Sequence, residues 1–142
     1  MGGAPYESTP PAIDMIRGLS PLANHIMKLS LIGWKVTAEV IKAISTALPE
    51  LHSINLDFCT LDSGAWRELL TMTAFTHLKL DGTPCSLLQV TSFAASVRRG
   101  MTLAINSRCM IASERTAFKD FIPVLNAQRD HMHLPPIFFV GF

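Results

Sequence analysis

The sequence predicts a short α/β solenoid built from stacked strand–turn–helix units. Three observations carry that prediction. One apolar sentence is written three times: Ile26-x-x-Leu29-x-Leu31-x-x-Trp34-x-Val36, Leu51-x-x-Ile54-x-Leu56-x-x-Cys59-x-Leu61, and Phe75-x-x-Leu78-x-Leu80-x-x-Thr83-x-Cys85. The copies begin at residues 26, 51 and 75, so the steps are 25 and 24 residues, a repeat period rather than chance alternation. Each copy is also followed by apolar residues at helical spacing. A unit of this length cannot bury its own apolar face, so the units must stack.

The elements follow in order. Residues 1–11 (MGGAPYESTPP) hold three prolines and little apolar content, which predicts a loosely draped lead-in. Residues 12–25 form a partial repeat or cap: Ile13, Ile16 and Leu19 share a helical face, and Ser20-Pro21 stops the run. The solenoid spans residues 26–130 in about four units. After the first strand, Thr37 is placed to cap a helix carrying Val40, Ile41, Ile44 and Leu48, ended by Pro49. After the second, Asp62 or Ser63 caps a shorter helix with Trp66, Leu69 and Leu70. After the third, Ser86 opens a helix with Val90, Phe93, Ala94 and Val97, and Gly100 is its expected stop.

The fourth unit is eroded. Its first apolar position falls on Gly100, followed by Leu103, Ile105 and Met110. Ser113 is the expected cap of a helix showing Phe118, Phe121, Ile122 and Leu125, with Pro123 kinking or restarting it. Residues 131–142 read as an irregular end or the start of a fifth strand, which Pro135 and Pro136 confine to a sheet edge.

Composition narrows the function classes. A net charge of +1 and a single adjacent basic pair, Arg98-Arg99, argue against nucleic-acid binding. No apolar run approaches the roughly 18 residues of a membrane span. The N-terminus lacks the basic-then-apolar pattern of a secretory signal, and Tyr6 breaks the myristoylation pattern. Three cysteines, an odd number without tight pairs, fit a reducing, cytoplasmic setting. Cys59, Cys85 and Cys109 recur near the repeat length; a packing role is the expectation, since no Cys-x-x-Cys pair is present to hold zinc. His131-x-His133 beside Asp130 is a weak metal signal, and neither a metal nor a cofactor is expected. No nucleophile elbow, phosphate loop or His-Glu-x-x-His occurs, so an enzyme is not expected.

The segment LHSINLDFCTL, Leu51 to Leu61, resembles the strand of the leucine-rich repeat family, LxxLxLxxN/CxL, with Cys59 at the Asn/Cys position. FTHLKLDGTPC and IMKLSLIGWKV are looser matches, and the resemblance covers about residues 26–126. Helices of this length are most similar to the ribonuclease-inhibitor-like or cysteine-containing subclasses. The resemblance implies a parallel sheet on a concave face, with helices on the convex side. A short array also implies a segment or truncated copy.

On that resemblance the concave positions would be Met27, Lys28, Ser30 and Ile32, then His52, Ser53, Asn55, Asp57 and Phe58. Thr76, His77, Lys79 and Asp81 would follow, then Met101, Thr102, Ala104 and Asn106. With strands about 4.8 Å apart, His52, Asn55, Asp57, His77, Lys79 and Asp81 would form one polar patch edged by the apolar anchor Phe58. The function this implies is a non-catalytic scaffold binding another protein on the concave face. Two alternatives stand beside it. One is a structural segment that stacks on other repeats or self-associates through the apolar Ile137–Phe139 end. The other is the substrate-recognition part of a ubiquitin-ligase-type adaptor, a role common in that family.

Overall fold

One apolar residue in each unit aligns the strands. In the computed structural model, which describes residues 10–72, 74–106 and 110–141, Leu29, Ile54, Leu78, Leu103 and Phe139 stand side by side across a parallel sheet. The strands are β1 (Lys28–Ser30), β3 (Ser53–Asn55), β5 (His77–Lys79), β6 (Met101–Ala104) and β7 (Ile137–Val140), adjacent in that order. Ile54, Leu78 and Leu103 are buried, each contributing about 1.5–3 kcal/mol of apolar burial. Their strand neighbours point the opposite way, as the period-2 pleat requires. The exits of the first two units pair again in a small parallel ladder, β2 (Lys35–Val36) against β4 (Thr60–Leu61).

Among the described residues five α-helices complete the mixed α/β structure: α1 (Pro10–Arg17), α2 (Ala38–Ala47), α3 (Ser63–Leu69), α4 (Leu87–Ser96) and α5 (Ala112–His131). Each packs against the next in chain order. Their apolar stripes meet the inward strand residues in one core that includes Ile16, Val40, Ile44, Trp66, Leu69, Phe93 and Phe118. The other sheet face carries Lys28, His77, Lys79, Phe138 and Val140, all exposed.

Several local expectations change. Pro10 and Pro11 open α1 instead of ending the lead-in, because proline's fixed φ suits a first helical turn. The α1 run ends at Arg17, before Ser20-Pro21, which then begins a 3₁₀ turn, Ser20–Leu22. Asp62 caps α3 by accepting from the Ala65 N–H at 2.7 Å, and Ser86 with Gln89 forms a full capping box on α4. Thr37 holds the cap position of α2, but its buried hydroxyl makes no hydrogen bond among the described residues. Helix α4 ends at Ser96, four residues before Gly100, because Val97 turns extended.

Helix α5 starts at Ala112, capped in position by Ile111 rather than Ser113, and runs through Pro123 unbroken. Proline removes the hydrogen bond to the carbonyl of Lys119, but both residues are exposed, so water can serve that carbonyl. The C-terminal end is a regular strand: β7 pairs with β6 over four residues, at the sheet edge, as Pro135-Pro136 required. No helix among the described residues is long and apolar enough to cross a membrane.

Candidate functional site

The open sheet face is ruled into two rows. Lys28, Ser53, His77, Thr102 and Phe138 form the strand-start row; Ser30, Asn55, Lys79, Ala104 and Val140 form the next. The face therefore changes character across its width. Lys28 on β1 and His77 and Lys79 on β5 make it cationic on one side, with Ser53 and Asn55 of β3 between them, and β7 carries Phe138 and Val140 in the same positions.

The residues expected to make one patch fall into two groups. At the strand starts, His52 and His77 border a hollow of ≈ 420 Å³ with Met27, Lys28, Ser53 and Thr76, and no carboxylate among the described residues lines it. There the Thr76 hydroxyl lies 3.0 Å from His77 Nδ1. At the strand exits sit Asn55, Asp57, Phe58, Lys79 and Asp81. His77 and Lys79 lie two residues apart on β5 and face the same side, which links the groups.

Asp57 needs a correction. Placed by sequence among partner-facing residues, it is only 6% exposed and works inside the fold. Its Oδ1 accepts from the Asp81 N–H at 2.7 Å, and its Oδ2 meets Lys79 Nζ at 3.2 Å. Its own N–H donates to Asn55 Oδ1 at 2.9 Å, and its carbonyl accepts from Gly33 at 3.1 Å. A buried carboxylate is tolerated only when so satisfied. The Asp57 side chain ties the second unit to the third. Lys79 is the exposed member of the ion pair, and Asp81 is half-buried.

Below this layer the turn is held by Thr83 and Cys59. Thr83 Oγ1 accepts from the Cys59 N–H at 3.2 Å and donates to the Leu56 carbonyl. The Cys59 thiol donates to the Leu31 carbonyl of the preceding unit. Desolvation by burial pushes that thiol's pKa up from 9.0, helped by the Asp57 charge and opposed by backbone hydrogen bonds at Trp34 and Gly33. Both Cys59 and Cys85 are buried, while Cys109 lies outside the described residues. His131, His133 and Asp130 are exposed, and no group of three metal-ligating side chains forms among the described residues.

Phe58 occupies an unusual backbone. Gly33, Phe58 and Gly82 stand at the same place in successive units, and all turn left-handed, with φ of 81°, 57° and 73°. Glycine does this without strain; phenylalanine costs about 1–2 kcal/mol. The Phe58 ring is 62% exposed and lies over Gly82, where an added Cβ would come within 2.4 Å of it. Glycines at 33 and 82, two repeat steps apart, were a sequence signal for this turn. The contrast at Phe58 became visible only when the units were superposed by register.

Comparison with known proteins adds no family: no family model, no curated protein and no solved structure matches this chain.

Proposed function

We propose that the chain is a short leucine-rich-repeat-like solenoid that binds another protein on its open, concave sheet face, without catalysis of its own. The observation that carries this reading is Phe58. An exposed aromatic side chain is held in a strained left-handed turn where both neighbouring units use glycine. Strain of this kind persists where a side chain serves something other than folding. Parallel strands one repeat apart, with helices packed in chain order behind them, support the architecture.

The partner contacts Phe58 at the exit rim, and His77 and Lys79 across the face, with His52 at the strand starts. Asn55 lies on that face between Ser30 and Lys79, Asp57 shapes it from beneath, and Asp81 flanks it. A variant of Asp57 would therefore confuse binding with folding. The test uses Phe58→Gly and, separately, His77→Glu with Lys79→Glu, each compared with the native chain in affinity capture. Phe58→Gly should fold with unchanged or slightly higher thermal stability and lose the captured protein. Capture equal to native by both variants would remove the open face from the reading.

A second reading, self-association through the C-terminal end, is favoured by Phe138 and Val140, exposed side by side on the edge strand β7. Light scattering should then show dimers that Phe138→Lys abolishes. A monomer at high concentration would sink it. The substrate-recognition role in a ubiquitin-ligase-type adaptor is a narrower form of the first reading, with the same residues at the interface.

A further inference from the structure

The open sheet face is not electrically even along its strands. Toward the exits, Lys79 is met by Asp57 at 3.2 Å, and the Asp81 N–H donates to the same carboxylate at 2.7 Å. At the strand starts, the hollow of ≈ 420 Å³ is bordered by Met27, Lys28, His52, Ser53, Thr76 and His77, with no carboxylate among the described residues in its lining. Lys28 is exposed, and no ion pair involves it among the described residues. Every polar side chain of that lining can donate a hydrogen bond.

The sheet sets these donors in order. Lys28, Ser53 and His77 stand in register on three adjacent strands, so their Cα positions span about 10 Å, two strand spacings. The Thr76 hydroxyl lies 3.0 Å from His77 Nδ1 and 3.5 Å from the His52 carbonyl, which orients one edge of the imidazole. When that hydroxyl donates to Nδ1, or when the ring is protonated, Nε2 carries a hydrogen that an acceptor can take. Past β5 the row turns uncharged, at Thr102 and Phe138. The whole chain carries a net charge of only +1, so the attraction of this end for an anion is local.

We propose that the strand starts of β1, β3 and β5 take an extended acidic segment of the bound protein. Charge complementarity selects it: a carboxylate meets Lys28 and the imidazole donors unopposed, whereas a basic segment meets Lys28 with like charge. In a polyproline-II segment, residues three apart share a side and lie about 9.3 Å apart, so acidic residues at that spacing reach Lys28 and His77 in turn. The inference rests on the protein-binding reading of the same face and adds the chemistry of the partner.

The test is a ¹H–¹⁵N titration of the full chain with a peptide of repeated Glu-Pro-Pro triplets, read at the backbone amides of Lys28, Ser53 and His77. A Gln-Pro-Pro peptide is the uncharged control. The glutamate peptide should shift those three signals saturably, and the glutamine peptide should leave them in place. Lys28→Gln should weaken the glutamate peptide about threefold to fivefold, the scale of an exposed ion pair. Lys28→Glu should weaken it further, Lys28→Arg should keep it, and added salt should loosen it. Unmoved strand-start signals, equal shifts by both peptides, or affinity indifferent to Lys28→Glu overturn the acidic segment. If Phe58→Gly still loses the captured protein in that case, the protein-binding reading stands without it. If capture is also native in both variants of the open face, the two fall together.

Discussion

The turns between Leu56 and Thr83 and the end of the molecule from α4 to β7 solve the same problem by opposite means. Both must satisfy backbone groups where one unit meets the next. In the central turns, Asp57, Cys59 and Thr83 each reach a neighbouring unit, across 24 to 28 residues of chain. Their partners recur because the units recur. At the C-terminal end a single side chain takes over. Arg129 on α5 is 2% exposed and donates to the carbonyls of Ala94, Val97, Arg99 and Pro135.

A cation suits that place because the last turn of α4 leaves carbonyls without intrahelical partners, and their dipoles point at it. Burial without a carboxylate lowers the Arg129 pKa. Asn126, one turn earlier, clasps Ile137 from both sides, its amide donating to the carbonyl at 3.0 Å and accepting from the N–H at 2.9 Å. The Val140 carbonyl accepts from Ile105, just past β6, so the alternation of the strand aims the Ile137 backbone outward. Asn126 thus occupies part of an edge that another strand would otherwise take. Regular stacking distributes the task over repeated small residues; irregular stacking concentrates it in one or two large polar ones.

The sharpest break of this contrast is at Arg129. Arg129→Ala should cost about 3–5 kcal/mol in urea unfolding, since several buried carbonyls lose their donor at once. Arg129→Lys should recover only part, because an ammonium cannot reproduce the planar fork. A loss below about 1 kcal/mol would mean that the end is not held by this residue. Thr83→Val, nearly isosteric, removes two buried hydrogen bonds and should cost about 2–3 kcal/mol. A smaller loss there would say that the distributed turn layer tolerates single deletions.

Gly82→Ala should cost about 1–2 kcal/mol, from the left-handed backbone and the displaced Phe58 ring. Combined with Phe58→Gly the cost should fall, because the clash disappears, and thermal melts of the four combinations would measure that coupling. The smallest effect is a pH dependence at Cys59. The folded thiol keeps its proton at a pH where the unfolded thiol, near 9.0, has lost it. Its stabilisation is present below pH 9.0 and is lost as pH rises through the folded value. The native chain should therefore lose stability above pH 9.0 more steeply than Cys59→Ala, and parallel urea midpoints would refute it.

The same contrast explains what could be read in advance. Strand positions, the Ser86 cap, the α3 cap to within Asp62 or Ser63, and the turn roles of Cys59 and Thr83 were legible because each follows a local period or recurs one unit later. The first four strands stand 25, 24 and 25 residues apart at Lys28, Ser53, His77 and Thr102, but Phe138 follows after 36, so the period no longer pointed to β7. Arg129 carried no signal. Between Gln128 and Asp130 it reads as part of a solvated helix face. The site was half legible: alternation put His77 and Lys79 outside, but it could not reveal that Asp57 turns inward.

The sequence by itself determined the α/β class, the strand register through Leu29, Ile54 and Leu78, and the helices behind them. These depend on spacing along the chain, and spacing is what a sequence records. Only the tertiary structure decided that Asp57 ties units together, that Phe58 is strained where its counterparts are glycine, and that Arg129 closes the end. Each depends on which distant backbone groups arrive unsatisfied at one point, and chain separation does not encode that.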